Sequence, residues 1–99
     1  MKSFKKTVDG INFEVFPHSV GSGLVECDVW TVKHPERKIF KGYRYKTTQT
    51  FMYEYHESIT KMCERAISIY SACVKKEEKI SKMWKEFKET PWQTRGFVL

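Results

Sequence analysis

The stretch that decides the fold is residues 48–89, TQTFMYEYHESITKMCERAISIYSACVKKEEKISKMWKEFKE. It contains neither Gly nor Pro, so no residue within it forces a helix to end. Its apolar side chains recur at steps of three and four residues, the spacing of one stripe along an α-helix. The stripe comprises Met52, Tyr55, Ile59, Met62, Ala66, Ile69, Cys73, Ile80, Met83 and Phe87, with Lys76 at the one polar position. We therefore predict a long helix over residues 47–90, capped at its start by Thr47, Thr48 or Thr50.

The predicted helix is too long for a compact chain of this size. Forty-two helical residues extend about 63 Å, whereas a compact chain of 99 residues is about 35 Å across. The helix either continues beyond the sheet and pairs with another chain, or breaks near residues 71–79 and folds back as a hairpin. Its second half carries a narrow apolar seam, which we expect to be a partner or dimer interface. The seam consists of Ile80, Met83, Trp84 and Phe87.

Residues 3–16, SFKKTVDGINFEVF, give a clear β-hairpin signal. Asp-Gly suits a two-residue type I′ turn, in which both residues need positive φ. A two-residue turn also determines which residues face each other across the strands. The expected pairs are Val8 with Ile11, Lys6 with Phe13, Lys5 with Glu14 and Phe4 with Val15.

A second hairpin is predicted from residues 24–32 and 38–46, around a turn at residues 33–37. Its favoured register places Trp30 opposite Phe40 and Glu26 opposite Arg44, which gives one aromatic pair and one charge pair. Residues 17–23, PHSVGSG, are interpreted as a flexible linker between the hairpins. In this register the side chains that lie under the helix include Val25, Cys27, Val29 and Tyr43.

The predicted fold class is α+β, with a small antiparallel sheet of about four strands followed by one long C-terminal helix on one sheet face. The chain length fits a single domain over residues 1–99. Residues 1–46 would form the sheet, residues 47–90 the helix, and residues 91–99 an apolar tail.

The charge is unevenly distributed. Eighteen Lys and Arg residues against twelve acids give a formal net charge of +6, and residues 33–46 contain six basic residues against one acid, Glu36. A basic block of this kind favours a polyanionic partner. The predicted register would place aromatic side chains among these cations on the sheet face away from the helix, an arrangement that suits stacking on single-stranded nucleic acid. The candidate binding residues are Trp30, Lys33, Arg37, Lys38, Phe40, Arg44 and Lys46.

An alternative for this face is that protein covers it. The tail over residues 91–99 carries Trp92, Phe97, Val98 and Leu99, which are apolar enough to pack on Trp30 and Phe40. A second subunit could do the same, and the lysines would then be ordinary solvated charge.

Motifs for catalysis are lacking, and we expect a non-enzymatic protein without cofactor or metal. His56 and Cys63 share one helix side, but two helical turns separate them by about 10 Å, beyond hydrogen-bond reach. The three cysteines, Cys27, Cys63 and Cys73, show no paired spacing and are expected to be buried, reduced thiols. No secretory leader or membrane-spanning run is recognisable, so we expect a cytoplasmic, reducing location and no membrane partner.

Two functions remain open on these grounds. In the first, the protein binds RNA or single-stranded DNA, as a homodimer that doubles the cationic footprint. In the second, the protein is an interaction module whose helical seam binds itself or an acidic protein. It would then act as an inhibitor or adaptor, in the manner of a viral or phage accessory factor.

Overall fold

The computed structural model describes residues 2–89, which form four strands, a short 3₁₀ turn and one long helix. The four strands make one antiparallel sheet in the order β1-β2-β3-β4. The long helix packs on one face of this sheet, so the predicted α+β class is confirmed. The elements are β1 Phe4–Val8, β2 Ile11–Gly21, β3 Leu24–Val32, β4 Tyr43–Met52, the 3₁₀ turn Tyr53–Tyr55 and α1 Ile59–Glu89.

The first hairpin has the predicted turn and register. Asp9 and Gly10 both have positive φ, 52° and 79°, as a type I′ turn requires. Val8 pairs with Ile11 and Phe4 with Val15. Because the turn contains only two residues, the strands have no room to slip.

The predicted linker over residues 17–23 is wrong. Strand β2 continues to Gly21, and a second two-residue turn follows, in which Ser22 and Gly23 have φ values of 54° and 73°. Pro17 is accommodated because β1 begins opposite Val15, so that β2 has only β3 as a neighbour beyond that point. The Gly-Ser-Gly sequence therefore forms a tight hairpin turn rather than a flexible connection.

The predicted register of the β3–β4 hairpin is also wrong. Strand β4 begins at Tyr43, so Trp30 faces Tyr45 rather than Phe40. Glu26 faces Thr50 rather than Arg44. The connecting loop is residues 33–42, about twice the predicted length.

This loop is closed by its own backbone hydrogen bonds. The N–H of Lys33 donates to the carbonyl of Gly42 at 3.2 Å, and that of His34 donates to Lys41 at 2.7 Å. Gly42 has φ +75°, and a Cβ at this position would lie 3.0 Å from the Cβ of Lys33. Glycine is therefore required where the loop rejoins the sheet.

The predicted start of the helix at residue 47 is wrong, because residues 47–52 belong to β4. Three threonines favour a strand there, the residues pair with β3, and Phe51 reaches the core. The helix begins at Ile59, and Ser58 caps it: its Oγ accepts the N–H of Lys61 at 3.1 Å. The proposed threonine caps are therefore incorrect.

Helix α1 runs unbroken over 31 residues, a length of about 46 Å. The alternative of a break near residues 71–79 is therefore excluded, and the prediction of a helix that extends beyond the sheet is confirmed. Over the described part of the chain, this helix is too polar to cross a membrane. The predicted tail over residues 91–99 lies outside the described residues.

The core lies between α1 and one face of the sheet. It includes Phe13, Val15, Val25, Cys27, Val29, Phe51, Met62, Cys63, Ala66 and Ile67. The prediction that Val25, Cys27 and Val29 lie under the helix is confirmed, whereas Tyr43 lies on the opposite face, since it pairs with Val32 beyond the bulge in β4.

Two of the three cysteines are buried, as predicted. The Cys27 and Cys63 side chains meet in the core through a thiol–thiol hydrogen bond, which together with burial raises the pKa of Cys27. The same hydrogen bond lowers the pKa of the Cys63 thiol against the opposing effect of burial. Cys73 is exposed, so the prediction of a buried thiol is wrong at that position.

Candidate functional site

The helix leaves the sheet at the end that carries loop 33–42. Ile59, near the start of α1, lines a surface pocket with Ser19 and Val25 at the opposite end of the sheet. Eleven residues further along, the ring of Tyr70 contacts that of Phe13 with centroids 6.0 Å apart. Phe13 lies opposite Thr31, two residues before the loop. The projecting half of α1 and the loop therefore emerge at the same end.

The sheet face away from the helix, called the open face below, carries an aromatic cluster around Trp30. The Trp30 ring lies edge-on to those of Tyr45 and Tyr43, with centroid distances of 5.3 and 6.3 Å. The ring of Phe16 extends the cluster, because it lies beside that of Tyr43 with a centroid distance of 6.3 Å. Trp30 is half-buried by these rings, so only part of its surface is available for stacking.

Carboxylates surround this cluster. Glu14 is 6% exposed and accepts hydrogen bonds from Ser3 Oγ at 2.6 Å and from the Tyr43 hydroxyl at 2.9 Å. The hydrogen bond to Glu14 is the largest of the effects that raise the pKa of Tyr43, and burial and the carboxylate charge add to it. The aromatic and acidic groups of the open face thus form one connected network.

A second group of open-face acids lies further along the strands. His18 contacts Glu26 through Nε2 at 3.0 Å and Asp28 through Nδ1 at 3.6 Å. Thr48 Oγ1 donates to the other oxygen of Asp28 at 2.6 Å. His18 lies between these two carboxylates, and Thr48 hydrogen-bonds to Asp28, so the acids have polar neighbours, as a structural polar network requires.

The open face is therefore not the cationic aromatic surface expected from the sequence. Trp30 lies among Glu14, Glu26 and Asp28, whereas Arg44 pairs with Thr31 and the other candidate cations lie in or beside the loop. The register explains the loss of the cations, because β4 is displaced at Arg44 by five residues from the predicted pairing and an odd displacement moves Arg44 to the other face. The acids come from the strand of Trp30 itself and from its β2 partner, Glu14. Of the candidate residues, Trp30 contacts the tyrosines of the open face and does not line a surface depression in which three of the other six lie.

Three of those six meet at the loop end of the sheet. Lys33, Arg44 and Lys46 line an open depression of about 580 Å³, called the cationic depression below. Its other lining residues are Gly10, Ile11, Asn12, Thr31, Val32, Gly42 and Tyr43. None of these side chains is a carboxylate, so the potential in the depression is positive.

The loop adds exposed cations and an exposed aromatic ring next to the depression. Arg37 and Lys38 lie in its outer part, and both are exposed. Phe40 is 85% exposed and is held in a left-handed conformation with φ 57°. Such a conformation is costly for a bulky residue, and the exposed ring gains no packing in return.

The helical seam is also solvent-exposed. Ile80, Met83, Trp84 and Phe87 are 51%, 60%, 58% and 50% exposed, although the rings of Trp84 and Phe87 contact each other at 5.6 Å. The last residue of α1 that is buried in the core is Ile67. The sequence reasoning identified this seam correctly as distinct from the core-facing half of the helix.

Sequence reasoning missed Tyr43 and Tyr45 as neighbours of Trp30. It also missed the convergence of three acids on the open face. Alternation along the strands was the available signal that these acids share a face. Glu14 lies between buried Phe13 and Val15, and Glu26 and Asp28 alternate with buried Val25 and Cys27.

Within residues 2–89, no group of three or more His, Cys, Asp and Glu side chains is arranged to hold a metal ion. Comparison with known protein families, curated proteins and solved structures gives no match for this chain.

Proposed function

We propose that the protein binds single-stranded RNA or DNA without catalysing a reaction, through the loop end of its sheet. The observation that carries the proposal is the cationic depression, in which Lys33, Arg44 and Lys46 meet without a carboxylate. Phosphate groups are the polyanionic partner that such a site favours, since each bound cation releases condensed counterions from the nucleic acid.

The exposed Phe40 ring supports a single-stranded rather than a duplex ligand. Unpaired bases offer a flat face that stacks on aromatic side chains, whereas bases within a duplex do not. Arg37 and Lys38 precede Phe40 by three and two residues in the same loop and are exposed. A strand with one base stacked on Phe40 would bring its neighbouring phosphates near these cations. The proposed contacts are Lys33, Arg37, Lys38, Phe40, Arg44 and Lys46, and Trp30 is no longer among them.

The open face limits where the strand can run. Glu14, Glu26 and Asp28 repel phosphates, because like charges at short range raise the free energy of binding. The strand would therefore pass across the loop end, towards the lysine-rich projecting half of α1, rather than along the open face. Lys75, Lys79 and Lys82 of that half extend the cationic path.

We expect Phe40→Ala to weaken binding of a fluorescein-labelled uridine 20-mer by about tenfold, because stacking of one base on an aromatic ring contributes roughly 1–3 kcal/mol. Fluorescence anisotropy at fixed salt gives the dissociation constant. The matched control is Ile39→Ala, since Ile39 is 68% exposed in the same loop but offers no aromatic face. Equal dissociation constants for the native protein and Phe40→Ala would exclude the stacking role.

A second candidate function is supported by the exposed helical seam. A soluble protein seldom leaves several large apolar side chains together in solvent unless they form a contact surface. In this alternative the seam binds a protein target, and the protein acts as an inhibitor or adaptor of the kind found among viral accessory factors. The basic surface would then select an acidic protein.

A further inference from the structure

The projecting half of α1 presents a regular apolar edge. The edge has alternating steps of three and four residues, as the a and d positions of a coiled coil do. It consists of Cys73, Lys76, Ile80, Met83 and Phe87. All five are exposed in the structure. A single helix of this kind buries its edge only by pairing with another surface of matching spacing.

We infer that this edge pairs with the same edge of a second copy of the chain, and that the two helices run antiparallel. The alignment places Ile80 beside the partner's Met83, and Met83 beside the partner's Ile80. Two apolar layers then lie at the centre of the pair, and Trp84 flanks them.

Charge complementarity supports the antiparallel direction. Lys79 and Glu86 both occupy the g position of the heptad, which flanks the apolar edge. In an antiparallel coiled coil, g positions of the two helices face each other, so in this alignment Lys79 lies opposite the partner's Glu86. The twofold symmetry repeats this pair, so the dimer gains two attractive contacts. Lys76 lies beside the partner's Phe87, over which its aliphatic stem packs while its ammonium group reaches water.

The parallel direction lacks these advantages. It would place Lys76 against the partner's Lys76 within the apolar edge, where like charges repel in a poorly hydrated environment. It would also place Lys79 opposite the partner's Trp84, so that neither ion pair forms. The pattern of charges thus discriminates against parallel pairing.

The antiparallel pair has a consequence that rests on the proposed function. The two cationic depressions would lie on either side of the helix pair. The two points at which the helices leave their sheets would be about 30 Å apart, from a rise of 1.5 Å per residue. One single strand could then contact both sites, which raises its overall affinity through effective concentration.

The test is a charge-swap series followed by sedimentation equilibrium in the absence of nucleic acid. We expect Lys79→Glu and Glu86→Lys each to weaken dimerisation by about tenfold, since each converts two exposed attractive pairs into repulsive ones. The double variant recovers the native dissociation constant, because both pairs are restored with reversed sign. Lys82→Glu, which changes the net charge equally but points away from the edge, leaves dimerisation unchanged.

Two results would overturn the inference. A native protein that remains monomeric at several hundred micromolar would show that the edge does not bind a second copy, and would leave another protein as its occupant. A double variant as weak as the single variants would exclude the antiparallel alignment. Neither result depends on nucleic-acid binding, so the proposed function can fail or succeed separately.

Cys73 reports the direction of the helices independently. In the antiparallel pair the two Cys73 residues are about 26 Å apart along the helix axis, so copper–phenanthroline oxidation produces no covalent dimer. In a parallel pair they would face each other within disulfide distance. A covalent dimer that forms in the native protein and is lost in Cys73→Ser would therefore contradict the proposal.

Discussion

Simultaneous reversal of two cations, Lys33→Glu and Arg44→Glu, is expected to weaken binding of a single-stranded oligonucleotide by about 100-fold or more. Both side chains line the cationic depression. Each hydrogen bond between a charged side chain and a phosphate contributes roughly 1.5–3 kcal/mol, and two of them correspond to at least a factor of about 100 in the dissociation constant. The introduced carboxylates add repulsion to this loss.

The salt dependence distinguishes lost phosphate contacts from a damaged fold. The slope of log K against log salt concentration should become shallower by about 1.4 in the double variant, because two fewer counterion-releasing contacts remain and each contributes about 0.7 for a single strand. Anisotropy titrations between 50 and 200 mM salt measure this slope.

The matched control reverses Lys61 and Arg65, which changes the net charge by the same amount. Both residues are exposed on the first half of α1, and the ammonium group of Lys61 lies 3.9 Å from the Glu64 carboxylate in an exposed pair. We expect the control to lose only the weak, non-local part of the attraction. Equal losses in the two double variants would mean that net charge alone drives binding, and would contradict a local site.

Replacement of Ile67 by Ala is expected to destabilise the protein by roughly 2–5 kcal/mol, the range for removal of a fully buried branched side chain. Ile67 is 1% exposed and lies in the core between α1 and the sheet. Small domains unfold with only about 5–15 kcal/mol, so this loss is a large part of the total. The corresponding fall in the melting temperature is about 10–30 °C.

Urea unfolding monitored by far-ultraviolet circular dichroism measures this change. Ile39→Ala makes the same chemical change at an exposed loop position and should shift the free energy of unfolding by less than about 0.5 kcal/mol. Indistinguishable midpoints for Ile67→Ala and Ile39→Ala would show that the first half of the helix does not form the core with the sheet.

The sequence predicted those parts of the fold that depend on local geometry. The Asp9-Gly10 turn determined the first hairpin because a two-residue turn with positive φ leaves one register. The long apolar stripe predicted an uninterrupted helix because nothing after Ile59 competes with helix formation. The exposed seam followed from the same periodicity, since Ile80 and Phe87 lie beyond the reach of the sheet.

The errors arose where two periodicities overlap or where a loop closes on itself. Met52 and Tyr55 fit the helical stripe, yet the threonines that precede them and the cross-strand partners in β3 favour a strand over residues 47–52, and the tertiary pairing decides. The length of loop 33–42 depends on its internal hydrogen bonds and on the left-handed Phe40 and Gly42. These features leave no periodic signal in the sequence.

The candidate site was likewise predictable from the sequence only in part. The basic block of residues 33–46 was evident from composition, and three of its cations do meet at one depression. The β4 neighbours of Trp30 depended on the register of that strand, which supplies Tyr45 and Tyr43 in place of Phe40 and Arg44, whereas the acids beside Trp30 belong to its own strand and to β2. A stacking role therefore passes from Trp30 to Phe40 in the proposed function.

The most direct test of the central claim is a titration of ¹⁵N-labelled protein with a single-stranded uridine 12-mer, followed by amide chemical shifts. We expect the largest shift changes at residues 33–42, Arg44 and Lys46, and small changes at Trp30 and at Glu14, Glu26 and Asp28 on the open face. Changes concentrated on the open face around Trp30, or no changes at all at low salt, would contradict binding at the loop end.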